Sequence, residues 1–512
     1  MIESGTVRTG QLALLLLTVS AGAAEEWPIL TPKPGPEPRI NGPTRYGARP
    51  ERPFLYRIPC TGERPVRFAA RRLPPGLELD TQAGILRGTS PAKPGEYRIT
   101  LEAENRYGRA KREFRLVVGD RLSLTPQMGW NSWYTHYCHV TDRVLRQAAD
   151  ALISSGMADF GYEFVSIDDC WARRADAPDL RHRGEARAAN GTVLTNEGFP
   201  DMKALTDYIH SKGLKAGIYT SPGPLTCAKY TGAWRHEEQD VRTFAEWGFD
   251  LLKYDLCSYS RTPGANNLEE HQAPYRKMGA ILKSLPRDIV LNLCQYGRQE
   301  VWKWGGEVGG QSWRTTGDLG LEKSTELPGF YSIAFQNAAH WEYAGPGRWN
   351  DPDYILIGVV GDAHLWETGK QPERVKLTAD EQYSYMSLWA LMASPLFFGG
   401  DMTRLDEFTL NVLCNAEVIG INQDPLGKQA RVVRRTEQEF VLAKPLEGGA
   451  MAVGLFNLTR APRRMSLTWD ELKIQGRRNV RDLWRQKDDG TTQAEFTRQV
   501  GPHGVVLARL SR

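Results

Sequence analysis

A short apolar segment of this sequence ends in a lysine and an aspartate that are two residues apart. It reads Phe249-Asp250-Leu251-Leu252-Lys253-Tyr254-Asp255. Residues two apart in an extended strand point to the same side, so Lys253 and Asp255 are predicted to project together. An ammonium group beside a carboxylate lowers its pKa, so we expect Asp255 to be ionised. Such a group can be a nucleophile or an electrostatic stabiliser, although a Lys-x-Asp on its own more often marks a helix cap.

The elements around this segment alternate between strand and helix patterns after residue 120. The candidate strands are 128–131, 164–168, 215–219, 251–255, 289–293, 312–316, 348–351 and 396–399. Helical periodicity separates several of them, as in Val144, Leu145, Ala148, Leu152 and Ile153 before the second strand. Eight strands with intervening helices predict a (β/α)₈ TIM barrel of the α/β class.

Polar residues recur where these strands end. They are Trp133, Asp168, Asp169, Tyr219, Lys253, Asp255, Gln295, Tyr296, Arg314, Asp318, Asp351 and Asp353. Because chemistry in such barrels is located at the carboxyl ends of the strands, we expect these side chains to converge on one pocket. Glycoside hydrolysis uses two carboxyl groups, one ionised and one protonated. Asp255 suits the ionised role, the other acids can bind sugar hydroxyls, and Trp133 can pack against a sugar ring.

Several of these segments together resemble glycoside hydrolase family 27, which contains α-galactosidases and α-N-acetylgalactosaminidases. The resemblance is carried by Thr125-Pro126-Gln127-Met128-Gly129-Trp130-Asn131-Ser132-Trp133, Ile167-Asp168-Asp169-Cys170-Trp171, Lys253-Tyr254-Asp255 and Trp349-Asn350-Asp351-Pro352-Asp353. It continues through Ser394-Pro395-Leu396 and Asn422-Gln423-Asp424-Pro425-Leu426-Gly427. The match runs from about residue 124 to the C-terminus.

The resemblance implies a role for each matching residue in a retaining, exo-acting α-galactosidase that needs no metal or other cofactor. Asp255 is implied as the nucleophile and Asp318 as the general acid and base. The implied sugar-binding residues are Trp133, Asp168, Asp169, Tyr219, Lys253, Gln295, Arg314 and Asp353. The implied substrate is a terminal α-D-galactosyl residue of an oligosaccharide or polysaccharide.

The resemblance also implies two disulfides, Cys138–Cys170 and Cys227–Cys257, around the mouth of the barrel. Such bridges form in an oxidising compartment. The other cysteines, Cys60, Cys294 and Cys414, are expected to be buried, unreactive thiols.

One departure from the family pattern leaves the substrate open. Many α-galactosidases of this family have Cys-Glu-Trp where this chain has Cys294-Gln295-Tyr296. An amide keeps a hydrogen-bond acceptor and adds a donor but loses the charge. Hydrolysis of α-N-acetylgalactosaminides or β-L-arabinopyranosides therefore remains an alternative, and the retained Asp169 argues weakly against the second.

Two hypotheses from other functional classes are also open. In the first, Asp168, Asp169, Asp351 and Asp353 would bind a divalent metal in a metal-dependent barrel enzyme. In the second, the chain would bind sugar without turnover, which the presence of both expected catalytic aspartates disfavours.

The N-terminal residues have the pattern of an export signal. Arg8 precedes the apolar run 12–19, and the small residues Ser20-Ala21-Gly22-Ala23-Ala24 follow it. The run is too short for a stable membrane anchor. We therefore expect residues 1–24 to be removed and the mature protein to be secreted or periplasmic, with no membrane partner afterwards. With a formal net charge of only +4 over 512 residues, nucleic acid is not expected as a partner.

Two further domains are predicted outside the barrel, which is assigned to residues 121–426. Residues 27–120 contain short alternating runs separated by turns such as Pro74-Pro75-Gly76, which predict an antiparallel β-sandwich. The segment 73–89 resembles the immunoglobulin-like modules of bacterial extracellular enzymes and implies an accessory domain, for which sugar binding is the less favoured role. Residues 427–512 are predicted to form a C-terminal antiparallel β-domain, with strands at 440–444 and 450–457. The sequence does not indicate the oligomeric state.

Overall fold

The computed structural model of the protein describes Met1 and residues 27–259, 267–319, 327–361 and 371–512. Apart from Met1, the predicted export signal at residues 1–24 lies outside these ranges. Among the helices in the described ranges, none is long and apolar enough to cross a membrane.

The N-terminal region is a β-sandwich of the immunoglobulin-like kind. Its strands are β1 (Arg39–Ile40), β2 (Arg45–Ala48), β3 (Pro53–Arg57), β4 (Cys60–Thr61), β5 (Arg67–Arg71), β6 (Leu77–Asp80), β7 (Ile85–Thr89), β8 (Gly95–Asn105) and β9 (Gly108–Val118). One sheet has the order β2-β9-β8-β5 and the other β3-β7-β6, while β1 pairs with β4. Alternate residues of these strands face inward, and Tyr56 stacks on Phe114 in the core with ring centroids 4.6 Å apart. The predicted sandwich is confirmed, but β2 and β9 are parallel rather than antiparallel.

The central region is a parallel barrel. Its strands are β10 (Met128–Asn131), β11 (Phe164–Ser166), β12 (Lys215–Thr220), β13 (Leu251–Asp255), β14 (Val290–Cys294), β15 (Ser312–Arg314), β16 (Trp349–Asp351) and β19 (Leu396–Phe398). A short antiparallel pair outside the barrel, β17 (Val359–Val360) and β18 (Glu373–Arg374), lies between β16 and β19 in the chain. Each strand pairs with the next along the chain, and β10 pairs with β19. A parallel bridge between Ile355 and Phe398 closes the ring. The eight predicted strands are thus confirmed, with their ends shifted by two residues at most.

Helices connect the strands on the outside of the barrel. They are α1 (Trp133–His136), α2 (Asp142–Ser154), α3 (Met202–Ser211), α4 (Glu237–Trp247), α5 (Leu268–Ser284), α6 (Val301–Trp304), α7 (Gly329–Ala338), α8 (Ala379–Leu391), α9 (Glu407–Leu413) and α10 (Ala416–Asn422). Helix α2 shows why the periodicity predicted them. Thr141 caps its N-terminus by accepting from the Val144 N–H, and Leu145, Ala148 and Leu152 form its buried face.

Helix α8 is buried on all sides from Glu381 to Leu391, unlike an ordinary barrel helix with one apolar face. Its start is fixed by a capping box between Thr378 and Glu381. Its outer face is covered by the C-terminal domain, where the Trp484 indole donates to the Ser387 hydroxyl over 2.9 Å. This helix therefore lies in the interface between the barrel and the C-terminal domain.

The C-terminal region is a two-sheet antiparallel domain, as predicted. Its elements are β20 (Arg431–Arg435), β21 (Glu439–Pro445), β22 (Met451–Asn457), β23 (Arg463–Thr468), α11 (Trp469–Leu472), β24 (Arg478–Asp482), β25 (Lys487–Thr492), β26 (Glu495–Val500) and β27 (Val505–Ser511). The larger sheet has the order β20-β21-β22-β27-β24-β25, and β23 pairs with β26. Apolar residues between the two sheets form a core separate from that of the barrel.

The immunoglobulin-like domain packs against the end of the barrel where the strands begin. The Tyr46 hydroxyl donates to Glu163, the residue before β11, over 3.1 Å. The Arg49 backbone N–H donates to Asp288, two residues before β14, over 2.9 Å. This domain therefore covers the N-terminal face of the barrel and leaves the opposite face, where the strands end, accessible.

Candidate active site

Asp255 is the last residue of β13, and its carboxylate is held by three donors. Its Oδ1 accepts hydrogen bonds from the Tyr296 hydroxyl and from the Leu256 N–H, each over 2.7 Å. Its Oδ2 accepts from the Tyr219 hydroxyl over 2.8 Å. Only 3% of the residue is exposed. These contacts fix the orientation of the carboxylate at the C-terminal end of the barrel.

Lys253 projects to the same side of β13 as predicted, but its closest ionic partner is on another strand. Its Nζ lies 2.7 Å from Oδ2 of Asp168, which follows β11. The expected lowering of the Asp255 pKa is wrong. Burial raises that pKa, and the charge of Lys253 and the hydrogen bonds to the carboxylate offset only part of the effect.

Two tyrosine rings surround the Lys253 ammonium. Its Nζ lies 5.3 Å from the ring centroid of Tyr219 and 5.2 Å from that of Tyr354, distances at which a cation is attracted to an aromatic face. The Tyr354 hydroxyl also donates to Asp168 Oδ2 over 3.3 Å. The ion pair is thus enclosed within the pocket wall and has little freedom to move.

Asp169 anchors the loop that follows β12. Its Oδ2 accepts from the Ala228 N–H over 2.8 Å and its Oδ1 from the Cys170 N–H over 2.7 Å. Burial nevertheless raises the pKa of Asp169 to about 7, because these hydrogen bonds offset only part of the desolvation of the charged form.

Arg314, the last residue of β15, connects two of the predicted acids. Its Nη1 lies 3.2 Å from Asp318 Oδ1 and its Nη2 lies 3.0 Å from Asp353 Oδ2. The arginine side chain is buried, whereas 48% of the Asp318 side chain is exposed. Asp318 therefore lies at the mouth of the pocket, in contrast to the enclosed Asp255.

Asp353 has a strained backbone, with φ at +90°. Its Oδ2 accepts from the Tyr134 hydroxyl over 3.0 Å and from the Leu319 N–H over 2.9 Å. Its own N–H donates to Asp351 Oδ1 over 2.9 Å. Asp353 thereby links the end of β16 to the segment that carries Asp318.

The structure does not bring Gln295 into the pocket. Cys294 pairs in register with Asp255 and lies 3.9 Å from Arg314 Nη1, so it faces inward. Gln295 is the next residue, and its Oε1 lies 3.3 Å from Nε2 of His271 on helix α5, outside the barrel wall. The expected contact of Gln295 with the sugar is thus not supported, because adjacent residues of a strand face opposite sides.

Trp133 and the two disulfides surround the opening. Trp133 is half-buried at the start of α1 and packs edge-on against Tyr137. The structure links Cys138 to Cys170 and Cys227 to Cys257. The first disulfide lies in a small apolar cluster with Trp133. The second has Cys227 Sγ 3.7 Å from Asp255 Oδ2.

The remaining cysteines are free thiols. Cys60 is buried in the immunoglobulin-like domain, where burial raises its pKa to about 11. Cys414 is half-buried. Cys294 differs from both because it forms part of the pocket wall, although burial also raises its pKa.

Sequence reasoning placed Tyr296 among the residues at the strand ends, but it missed two groups that line the pocket, Tyr354 and Cys294. Cys294 is the last residue of β14 and pairs in register with Asp255, so strand alternation could have placed it inward once the two strands were aligned. Tyr354 directly follows the aspartate-rich segment after β16, but its partner Asp168 follows β11. The local sequence around Tyr354 therefore does not indicate this contact.

Two of the four acids proposed for a metal site already form ion pairs with protein cations. Asp168 contacts Lys253, and Asp353 contacts Arg314. In the described ranges, one group has the spacing of metal ligands, and it consists of Cys227, Asp255 and Cys257. Its two sulfurs are joined in a disulfide and offer no thiolate. The donor set therefore does not fit a divalent cation.

Comparison with known proteins agrees with this geometry. Residues 125–424 match the family described as alpha galactosidase A, residues 439–510 match the alpha galactosidase C-terminal beta sandwich domain, and residues 38–119 match an Ig domain family. Alpha-galactosidase 2 of Arabidopsis thaliana is 37% identical over 404 residues, which cover 78% of this chain and 92% of that protein.

Solved structures show the same relationship. A candidate alpha-galactosidase from Bacteroides fragilis is 35% identical with a TM-score of 0.84, covering 95% of this chain and 99% of that one. Alpha-galactosidase I from Mortierella vinacea is 30% identical with a TM-score of 0.67, covering 76% and 97%. The resemblance predicted from the motifs is confirmed, and this chain belongs to the alpha galactosidase A family.

Proposed function

We propose that this protein is a retaining α-galactosidase that removes terminal α-D-galactosyl residues, with Asp255 as nucleophile and Asp318 as general acid and base. The observation that carries the assignment is the contrast between the two carboxylates. Asp255 is buried and oriented by three donors, whereas Asp318 is half-exposed at the mouth beside Arg314. A nucleophile requires a fixed direction of attack, and a proton donor must reach the departing oxygen and exchange with water.

The first step breaks the bond between the anomeric carbon and the leaving oxygen. Asp255 forms a bond to that carbon while Asp318 gives its proton to the leaving oxygen. In the second step, Asp318 takes a proton from water as the water attacks the same carbon, and the electron pair of the ester bond returns to Asp255. Two displacements on opposite faces retain the α-configuration.

The other polar groups are suited to binding the sugar. We assign Asp168, Asp169 and Lys253 to hydroxyl groups on the side of the ring away from the leaving group. Their mutual contacts hold them in place before substrate arrives, which reduces the entropy lost on binding. Trp133 is assigned to the apolar face of the ring, and the buried Arg314 to a hydroxyl near the anomeric carbon.

A substrate panel tests the activity. The protein is expected to hydrolyse p-nitrophenyl α-D-galactoside in preference to the α-N-acetylgalactosaminide and the β-L-arabinopyranoside. NMR of the first product is expected to show α-galactose before mutarotation. Release of β-galactose as the first product would exclude the double displacement, and preference for another glycoside would change the substrate.

Variants of the two carboxylates test their roles separately. Asp255→Ala and Asp318→Ala are each expected to lower kcat by about a thousandfold or more. Azide should restore turnover in both variants. With Asp255→Ala it replaces the missing nucleophile and gives β-galactosyl azide, whereas with Asp318→Ala it attacks the galactosyl ester and gives α-galactosyl azide.

The matched control is Asp401→Asn, since Asp401 follows β19 at the same face but binds Arg404. The same azide anomer from both alanine variants would refute the assignment.

We also propose that the protein is exported. The two disulfides near the pocket are of the kind that persists in oxidising compartments, and the export pattern precedes residue 25. N-terminal sequencing of protein recovered from the periplasm or medium should begin near residue 25. Recovery of the full-length chain in the cytoplasm alone would contradict this.

A further inference from the structure

The donors on Asp255 are divided unequally between its two oxygens. Oδ1 accepts two hydrogen bonds, from Tyr296 and Leu256, while Oδ2 accepts one, from Tyr219. Each carboxylate oxygen has two lone pairs in the plane of the group. Both lone pairs of Oδ1 are therefore occupied, and one lone pair of Oδ2 remains free.

We propose that Asp255 attacks through Oδ2, and that the Tyr296 hydroxyl holds Oδ1 and stabilises the carboxylate when it leaves the glycosyl-enzyme. This inference rests on the proposed function and extends it to a positioning residue for the second step. Oδ1 becomes the carbonyl oxygen of the ester, and Oδ2 becomes the oxygen bonded to the anomeric carbon.

The backbone around Tyr296 holds its hydroxyl in this position. Tyr296 has a φ of +65°, and the following Gly297 has a φ of +77°. The Gly297 N–H donates to the Arg314 carbonyl over 2.9 Å. A Cβ at Gly297 would lie 2.2 Å from the Thr315 carbonyl oxygen, so the loop is seated directly on the end of β15. The hydroxyl is therefore presented by a fixed turn and not by a mobile loop.

The charge on Oδ1 changes in opposite directions in the two steps. In the first step, the Asp255 carboxylate loses its negative charge as the Oδ2–carbon bond forms. In the second, that bond breaks, its electron pair returns to Oδ2, and resonance spreads the negative charge over Oδ2 and Oδ1. A hydrogen bond to a charged acceptor is stronger than one to a neutral carbonyl. The Tyr296 hydroxyl thus favours hydrolysis of the ester and does not favour its formation.

Removal of this hydroxyl should therefore slow the second step selectively. With an aryl galactoside, whose leaving group makes the first step fast, Tyr296→Phe is expected to lower kcat by about ten- to a hundredfold. KM should fall by a similar factor, so that kcat/KM at the pH optimum changes little. The acid limb of kcat/KM should move to higher pH, because loss of a donor raises the Asp255 pKa.

A direct readout is the covalent intermediate. Mass spectrometry of the acid-quenched steady state should show a galactosyl adduct on Tyr296→Phe and little on the unmodified protein. Tyr354→Phe is the matched comparison, since it removes a pocket hydroxyl that donates to Asp168 and not to Asp255. It should show no accumulation of the adduct, because Asp255 keeps both of its tyrosine donors.

Several results would overturn the inference. They are an equal loss of kcat and kcat/KM in Tyr296→Phe, absence of the adduct, or accumulation of the adduct in Tyr354→Phe. Thermal melting checks that the variant is folded, and Tyr296→Leu, which also lacks the donor, provides the same test if the phenylalanine variant does not fold. If the unmodified protein does not hydrolyse α-galactosides, the proposed function fails. If it does and these results are found, only the role of Tyr296 fails.

Discussion

Asp169 accepts two backbone hydrogen bonds, yet burial raises its pKa from 3.8 to about 7. Between these values the folded state binds more protons than the unfolded state, so the free energy of unfolding falls as pH rises from about 4 to about 7. A shift of this size corresponds to a few kcal/mol. Asp169→Asn, which resembles the protonated acid, should lack this dependence. Thermal melts at pH 5 and pH 8 measure this dependence. From pH 5 to pH 8, the stability of the variant should rise relative to that of the unmodified protein, and an equal difference at both pH values would contradict this.

The residue pattern predicted which face Lys253 occupies but not which carboxylate it binds. Strand alternation is a local property and places Lys253 on the same side as Asp255. Its partner Asp168 follows β11, which is separated from β13 by β12 in the sheet. Such a contact depends on the curvature of the barrel and on the spacing of its strands, neither of which the local sequence shows. The direction of the Asp255 pKa was wrong for the same reason, because burial is a property of the assembled pocket.

At the level of elements, the turn after β14 determines where Tyr296 is placed. Gly297→Ala would put a Cβ 2.2 Å from the Thr315 carbonyl oxygen at a φ of +77°. We expect a loss of about 2 kcal/mol or more in the free energy of unfolding and a fall in kcat, because the turn must move away from β15. Denaturant unfolding and assay of the galactoside measure the two effects.

The control for this variant is Gly420→Ala. Gly420 lies within α10, and a Cβ there would meet nothing within 4 Å. Alanine should stabilise that helix by up to about 1 kcal/mol without changing activity. If Gly297→Ala behaved in the same way, the turn would not be as rigid as its contacts indicate.

The order of the elements was predictable because several barrel strands are short apolar runs with polar residues at their ends. The loops were not predictable to the same degree. A one-residue error in phase turns a side chain to the other face of a strand, and this is what separated Gln295 from the pocket. The sequence of helix α8 also does not show that the helix lies between two domains. Its burial on every side results from the C-terminal domain that covers it.

At the scale of the whole molecule, the pocket and the immunoglobulin-like domain lie at opposite ends of the barrel. Glu163 precedes β11 and binds Tyr46 of that domain, whereas Asp168 follows the same strand and faces the pocket. We propose domain boundaries near residues 120 and 426, with the first domain acting as a support for the barrel. On this view it contributes to stability and not to the chemical step.

Tyr46→Phe tests this separation with the loss of one hydroxyl. The variant keeps the aromatic ring that lies 4.5 Å from Lys215 Nζ but removes the hydroxyl donor of the half-buried Glu163, whose carboxylate then keeps the Lys215 ammonium 3.5 Å away. The free energy of unfolding should fall by about 1–2 kcal/mol. The kcat for an aryl galactoside should be unchanged, because no contact of the pocket is altered.

Tyr97→Phe is the matched control, since its hydroxyl donates to the Lys93 carbonyl over 2.7 Å at the exposed surface of the same domain. Water can replace that donor, so this variant should differ from the unmodified protein by less than about 0.5 kcal/mol. Equal stability of the two variants would show that the contact with Glu163 does not hold the domains together. A fall in kcat for Tyr46→Phe alone would instead show that the N-terminal domain acts on the pocket through the barrel strands, because Tyr46 contacts Glu163 and Lys215 where those strands begin.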